Sequence, residues 1–101
     1  MPSVADLAED EAAEVPDVRV VASAVSVKRT VAAEVGENGF VVGVRFLKDV
    51  VRKWDSYTLG QRAVAVADVA HDRYLANQPS PDGTQYPTRD AVGAAERKLN
   101  F

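Results

Sequence analysis

The pair Asn38-Gly39, set within Glu37-Asn38-Gly39-Phe40 and flanked on both sides by valine-rich stretches, constrains this chain more than any other feature. Both central positions of a two-residue type I′ loop need positive φ, which Asn and Gly tolerate best, so the pair predicts a tight β-hairpin. Such a loop would oppose Val35 to Val42, Ala33 to Val44 and Val31 to Phe46 on one face. The other face would oppose Glu34 to Gly43, Ala32 to Arg45 and Thr30 to Leu47. The first set is apolar and the second mixed, the pattern of a sheet with one side buried. A slip of one residue would scramble both.

Upstream, the run from Val18 to Val27 is too long to extend the same strand, which predicts a bend between Ser23 and Arg29 and a three-stranded antiparallel sheet. Downstream, the apolar spacing changes to 47, 50, 51 and 54, a helical period that predicts a turn or two. A longer helix then begins at Asp55, Ser56 or Thr58: Thr58 with Gln61 would form a capping box, and Asp55 would start the helix one turn earlier. Leu59, Ala63, Val66, Ala67, Ala70 and Tyr74 form one stripe, with Gln61, Asp68 and Asp72 opposite, so this helix should cover the apolar face of the sheet. The turn formers of Asn77-Gln-Pro-Ser-Pro-Asp-Gly-Thr84 end it by about Asn77. Thr88, after Pro87, can cap a short C-terminal helix carrying Val92, Ala95 and Leu99, whose thin stripe suits either docking on its own domain or a partner. The expected fold class is α+β, organised as an acidic arm (1–17), a β-β-β-α domain (18–77), and a turn-rich linker with the short helix (78–101).

Charge is distributed unevenly. Residues 1–17 hold Asp6, Glu9, Asp10, Glu11, Glu14 and Asp17 and no Lys or Arg, whereas the other 84 residues hold all 12 bases against nine acids. A mildly basic body thus carries an acidic arm. Low hydrophobicity with charge of one sign disfavours folding, so the arm is expected to be disordered; alternatively it shields a basic face or docks on a partner.

With no Cys and one His, the chain has no disulfide framework, no thiolate nucleophile and no zinc-type ligand set, which suits a reducing cytoplasm. No basic start leads into an apolar run, and no stretch approaches the roughly 18 apolar residues of a membrane span, so no membrane role is expected. Gly36, Gly39 and Gly43 belong to the hairpin and no phosphate-binding loop follows from them. Asp68, three residues before His71 on one helix, could orient the imidazole, yet no nucleophile or oxyanion site accompanies the pair. The carboxylates are scattered singly outside the arm. No enzyme activity and no cofactor are expected. At 101 residues the domain is near the small end of the range, and docking a second copy would add buried surface, so a homodimer is expected.

One stretch concentrates positive charge beside aromatics: Arg45, Lys48, Arg52 and Lys53, flanked by Trp54 and Tyr57 and interrupted by Asp49. Such a patch can bind a phosphate backbone with some stacking, or can be a plain solvated surface. Trp54, Tyr57, Tyr74, Tyr86 and Phe101 either mark a partner surface or fill a small core.

The segments Thr30-Val-Ala-Ala-Glu-Val-Gly-Glu-Asn-Gly-Phe-Val-Val-Gly-Val-Arg-Phe46 and Leu59-Gly-Gln-Arg-Ala-Val-Ala-Val-Ala-Asp-Val-Ala-His-Asp-Arg-Tyr74 carry a resemblance. In the order of strand, Asn-Gly hairpin, basic stretch and alanine-rich helix, the chain resembles the YbaB/EbfC nucleoid-associated family and the YbaB-like accessory proteins of actinobacterial type VII secretion, the EspL and EspD group. The resemblance implies a dimer formed through the sheets, no catalysis, and either loose DNA binding or a chaperone-like role beside secreted proteins. The long N-terminal helix of the nucleoid proteins is replaced here by the acidic arm, so no functional residue carries over.

Two readings follow. One is a non-enzymatic dimeric protein-interaction module, secretion-associated or chaperone-like, whose partner is another protein. The alternative is a nucleoid-associated, sequence-nonspecific DNA-binding protein using the basic stretch.

Overall fold

The valine alternation builds three strands, the turn residues a hairpin and the caps two helices, in an α+β arrangement. The computed structural model describes residues 18–79 and 87–101; the acidic arm and residues 80–86, including Tyr86, lie outside the described residues. Strands β1 (Val20–Val25), β2 (Val31–Gly36) and β3 (Val41–Phe46) form one antiparallel sheet in that order. A 3-10 turn at Asp49–Lys53, a long helix α1 (Ser56–Ala76) and a short helix α2 (Arg89–Arg97) follow.

The hairpin register holds from Val31/Phe46 through Glu34/Gly43 and then shifts, so that Val35 faces Val41 rather than Val42. The turn is the cause. Gly39 N–H donates to the Gly36 carbonyl at 2.9 Å and Gly36 N–H donates to the Phe40 carbonyl at 3.0 Å, a closure around three residues. Within it only Gly39 has positive φ, at 87°. The turn is therefore type I completed by a left-handed glycine, and not the type I′ loop expected of Asn-Gly. Asn38 serves it differently, accepting the Phe40 N–H on Oδ1 at 3.1 Å. The shift between Glu34 and Val35 absorbs the extra loop residue, which is why the lower register matches that of a two-residue loop. A second irregularity between Val20 and Ala22 flanks the same end of β2 from the other side.

The bend expected between Ser23 and Arg29 centres on Ser26. Its buried Oγ accepts the N–H groups of Thr30 and Val31 at 3.0 and 3.2 Å, and its N–H donates to the Val31 carbonyl. One small hydroxyl thus satisfies the backbone of a tight reversal. Arg29 adopts positive φ, 59°, within it.

Asp55 caps α1 by accepting the Thr58 N–H at 2.7 Å, and that bond, first among its causes, holds its carboxyl below the ordinary range. Thr58–Gln61 is therefore not the cap. The buried face of α1 is Val66, Val69, Ala70 and Ala76, which packs on Ala22, Ala24, Val31, Ala33 and Val35 of the sheet. Val66 and Ala70 of the expected stripe are thus on the contact face, joined by Val69 and Ala76, which that stripe did not include, while Tyr74 sits half-buried with its ring beside Gly39. Alanines on both surfaces let the two backbones approach closely. Helix α2, capped by Thr88 through the Ala91 N–H at 3.1 Å, docks on the same core through Val92 and Leu99. Of the two readings of its thin stripe, docking on its own domain is the one realised.

The far half of the β1 edge is bonded by side chains. Arg73 donates to the Ser23 carbonyl at 2.8 Å, Glu96 accepts the Val25 N–H at 2.9 Å, and the two side chains pair at 2.9 Å. Beyond them, Val27 and Lys28 donate to the carbonyls of Leu99 and Phe101. Side chains and the segment after α2 supply what a further strand would otherwise supply.

Candidate interaction surface

The chain leaves β3 at Leu47 and turns through Lys48 and Trp54, both extended, on either side of the 3-10 turn. Val51 anchors that turn in the protein, so Arg52 and Lys53 are held outward. The result is a groove of about 430 Å³ lined by Phe46, Leu47, Val51, Trp54 and Leu59, with Lys48, Arg52 and Asp49 around it. Its lining is five apolar or aromatic side chains, two cations and one carboxylate.

Lys48 is fixed by donating to the Lys28 carbonyl at 2.9 Å. Arg52 and Lys53 make no ion pair or hydrogen bond among the described residues. On the far side of Trp54 a smaller depression of about 180 Å³ is lined by Lys28, Thr30, Val50, Arg62, Asn100 and Phe101. There the Arg62 guanidinium lies 4.4 Å from the Trp54 ring centre and 4.9 Å from that of Phe101, while the two rings meet edge to face at 6.1 Å. The stacked cation holds Trp54 as a ridge between the two depressions.

The six residues singled out from the sequence do not form one patch. Lys48, Arg52 and Trp54 share the groove, and Lys53 is exposed beside it. Arg45 instead pairs with Glu34 at 2.8 Å across the sheet face away from α1. Tyr57, 72% exposed, accepts from Gln61 at 2.8 Å on the outer face of α1, a shallow surface shared with Gly60, Val64 and Asp68. The aromatics are likewise divided: Trp54 and Phe101 pair, while Tyr74 packs at the hairpin turn and stacks on His71 at 6.3 Å. Sequence reasoning missed Phe46, Leu47 and Leu59 as groove residues and Arg62 as the partner of Trp54. The 46/47 pair was visible as apolar side chains at the end of a strand, directly before the cations.

A second feature adjoins the groove. Leu47 N–H donates to the Thr30 carbonyl at 2.8 Å, and Thr30/Leu47 continues the Val31/Phe46 register. Antiparallel alternation then turns the backbone groups of Val44 and Phe46 away from β2, to the outer edge of β3. No side chain or segment among the described residues bonds to that edge. It is flanked by exposed Phe40 (71%), Val41, Val42, Phe46 (47%) and Leu47.

Nothing chemical gathers around His71: it is exposed, it stacks on Tyr74, and no hydrogen bond joins it to Asp68. Among the described residues no group of three His, Cys, Asp or Glu could hold a metal ion, and no helix is long and apolar enough to cross a membrane. Compared with protein-family models, curated proteins and solved structures, the chain matches none.

Proposed function

We propose that this protein is a non-enzymatic, dimeric protein-interaction module of the cytoplasm, a secretion-associated accessory or chaperone-like protein of YbaB-like type. The observation that carries the reading is the asymmetry of the sheet. At one edge Arg73 and Glu96 bond Ser23 and Val25, and the segment after α2 bonds the reversal that follows; the other edge makes no such bond among the described residues and is bordered by apolar side chains. An unprotected apolar edge is a template for another strand, and a second copy of β3 supplies one of matching chemistry.

Antiparallel pairing of β3 with itself about Val44 sets Val42 against the partner's Phe46 and Arg45 against the partner's Gly43, leaving room for the Arg45–Glu34 pair. Centring one residue further along would oppose Arg45 to its own copy, which like charge disfavours. Pairing about Val44 gives a continuous sheet of six strands. Sedimentation equilibrium tests the reading: a self-association constant in the micromolar range or tighter supports it, and a strict monomer at all concentrations, with no protein co-purifying from the host, overturns it.

One observation favours the second reading, a nucleoid-type DNA binder: among the described residues Arg52 and Lys53 have no ion-pair partner, and Arg52 shares the groove with Lys48 and Trp54. That reading predicts DNA affinity that falls steeply with salt, because phosphate contacts release counterions. A gel shift at low salt with no complex would remove it.

A further inference from the structure

The groove at the end of β3 sets apolar side chains beside Lys48 and Arg52, with Asp49 the one acid in the lining, and the same chain carries an acidic segment with an aliphatic side chain. Asp6-Leu7-Ala8-Glu9 holds two acids, no base and one leucine. We propose that this segment of the same chain occupies the groove, Leu7 over Phe46, Leu47, Val51 and Leu59 and the carboxylates toward Lys48 and Arg52.

The geometry of the tether allows it. Val20 pairs with Gly36 at the turn end of the sheet, whereas the groove lies at the opposite end of β3, two strands across. From Val18, two residues beyond Val20, that is about 10 Å sideways and about 27 Å along the sheet, a gap of roughly 29 Å. At roughly 3.3–3.6 Å per residue, the chain from Val18 back to Glu9 spans about 31 Å. Asp6–Glu9 is therefore within reach, while Asp10, Glu11, Glu14 and Asp17 are too near the sheet to arrive. A segment tethered this closely acts at a local concentration of order millimolar, so modest contacts suffice.

The lining favours a peptide over a nucleic acid. A phosphate backbone would gain nothing from Phe46, Leu47, Val51 and Leu59, whereas the Leu7 side chain would. An acidic segment with an aliphatic side chain uses both parts of the groove. This goes beyond the edge-pairing reading and does not depend on it, since the groove exists in each copy.

The test uses the full chain, which has no cysteine. Ser3→Cys carries a spin label, and loss of amide intensity is read along the isotope-labelled chain. Bleaching concentrated at Phe46, Leu47, Arg52 and Trp54, independent of protein concentration, supports the proposal when two treatments relieve it. These are salt of about 1 M, where screening acts within about 3 Å, and the neutral arm variant D6N/E9Q/D10N/E11Q. The exposed substitutions K48Q/R52Q should relieve it too, with the remaining amide shifts unchanged. No bleaching, bleaching elsewhere, or bleaching indifferent to salt and to arm charge overturns it. So does bleaching that appears only when labelled and spin-labelled copies are mixed, which assigns the arm to a second copy. Equal binding of a DNA oligonucleotide to the wild-type and neutral-arm chains would also overturn it.

Discussion

Arg73 of α1 and Glu96 of α2 meet at 2.9 Å while their remaining atoms bond the Ser23 carbonyl and the Val25 N–H of β1. One ion pair therefore joins both helices to the edge of the sheet and covers that edge at Ser23 and Val25. Glu96 is held below its ordinary value of 4.5, first by Arg73 and then by the Val25 N–H, against the opposing effect of burial.

A carboxylate whose folded value is depressed contributes stability above its unfolded value, and that contribution is lost as pH falls through the folded value. Urea unfolding from neutral pH to below 4.5 should show this loss in the wild type, and Glu96→Gln should remove its share of the slope. At neutral pH the substitution should cost about 1–2 kcal/mol, since it weakens two charge-assisted bonds while keeping the shape. An unchanged pH profile would show that the pair is idle.

The hairpin turn gives a prediction that separates two turn types. Gly39 has φ of 87° and a Cβ there would lie 3.2 Å from the Tyr74 ring, so Gly39→Ala should cost about 2 kcal/mol. Asn38 lies outside the left-handed region, so Asn38→Ala should lose only its bond to the Phe40 N–H, about 0.5–1 kcal/mol. A type I′ loop would make the two losses similar. Thermal unfolding of both variants decides it.

On α1, Val66 is fully buried while Val64, two positions away, is 59% exposed. Val66→Ala should cost about 2 kcal/mol by lost transfer energy and the cavity left behind, and Val64→Ala within about 0.5 kcal/mol of nothing. Comparable losses would mean that the helix packs on the sheet by another face.

Much of this was legible because it is local or periodic. The register Val31/Phe46 to Glu34/Gly43 follows from an apolar face that a slip would destroy, and Thr88 and Asn77 mark helix ends by chemistry acting within one turn. The turn type was not legible, since a glycine after asparagine serves both a type I′ loop and a type I turn with a left-handed glycine. Val69 was missed because the alanine-rich helix offers several similar stripes, and only the sheet chooses among them. Arg73 and Glu96 are 23 residues apart, and Arg62 reaches Trp54 and Phe101 by tertiary packing. For the same reason the basic stretch looked like one patch: Arg45 lies on a strand and Tyr57 on a helix that face different ways.

The central claim is that the open edge of β3 pairs with itself about Val44, and disulfide trapping in this cysteine-free chain tests it most directly. Val44→Cys should convert the protein under mild oxidation to a covalent dimer, because a residue on the twofold axis meets its own copy. Ser23→Cys, exposed on the edge of β1 that Arg73 and Glu96 bond, should remain monomeric under the same conditions. Failure of Val44→Cys to cross-link, or cross-linking of Ser23→Cys at the same rate, would contradict the account.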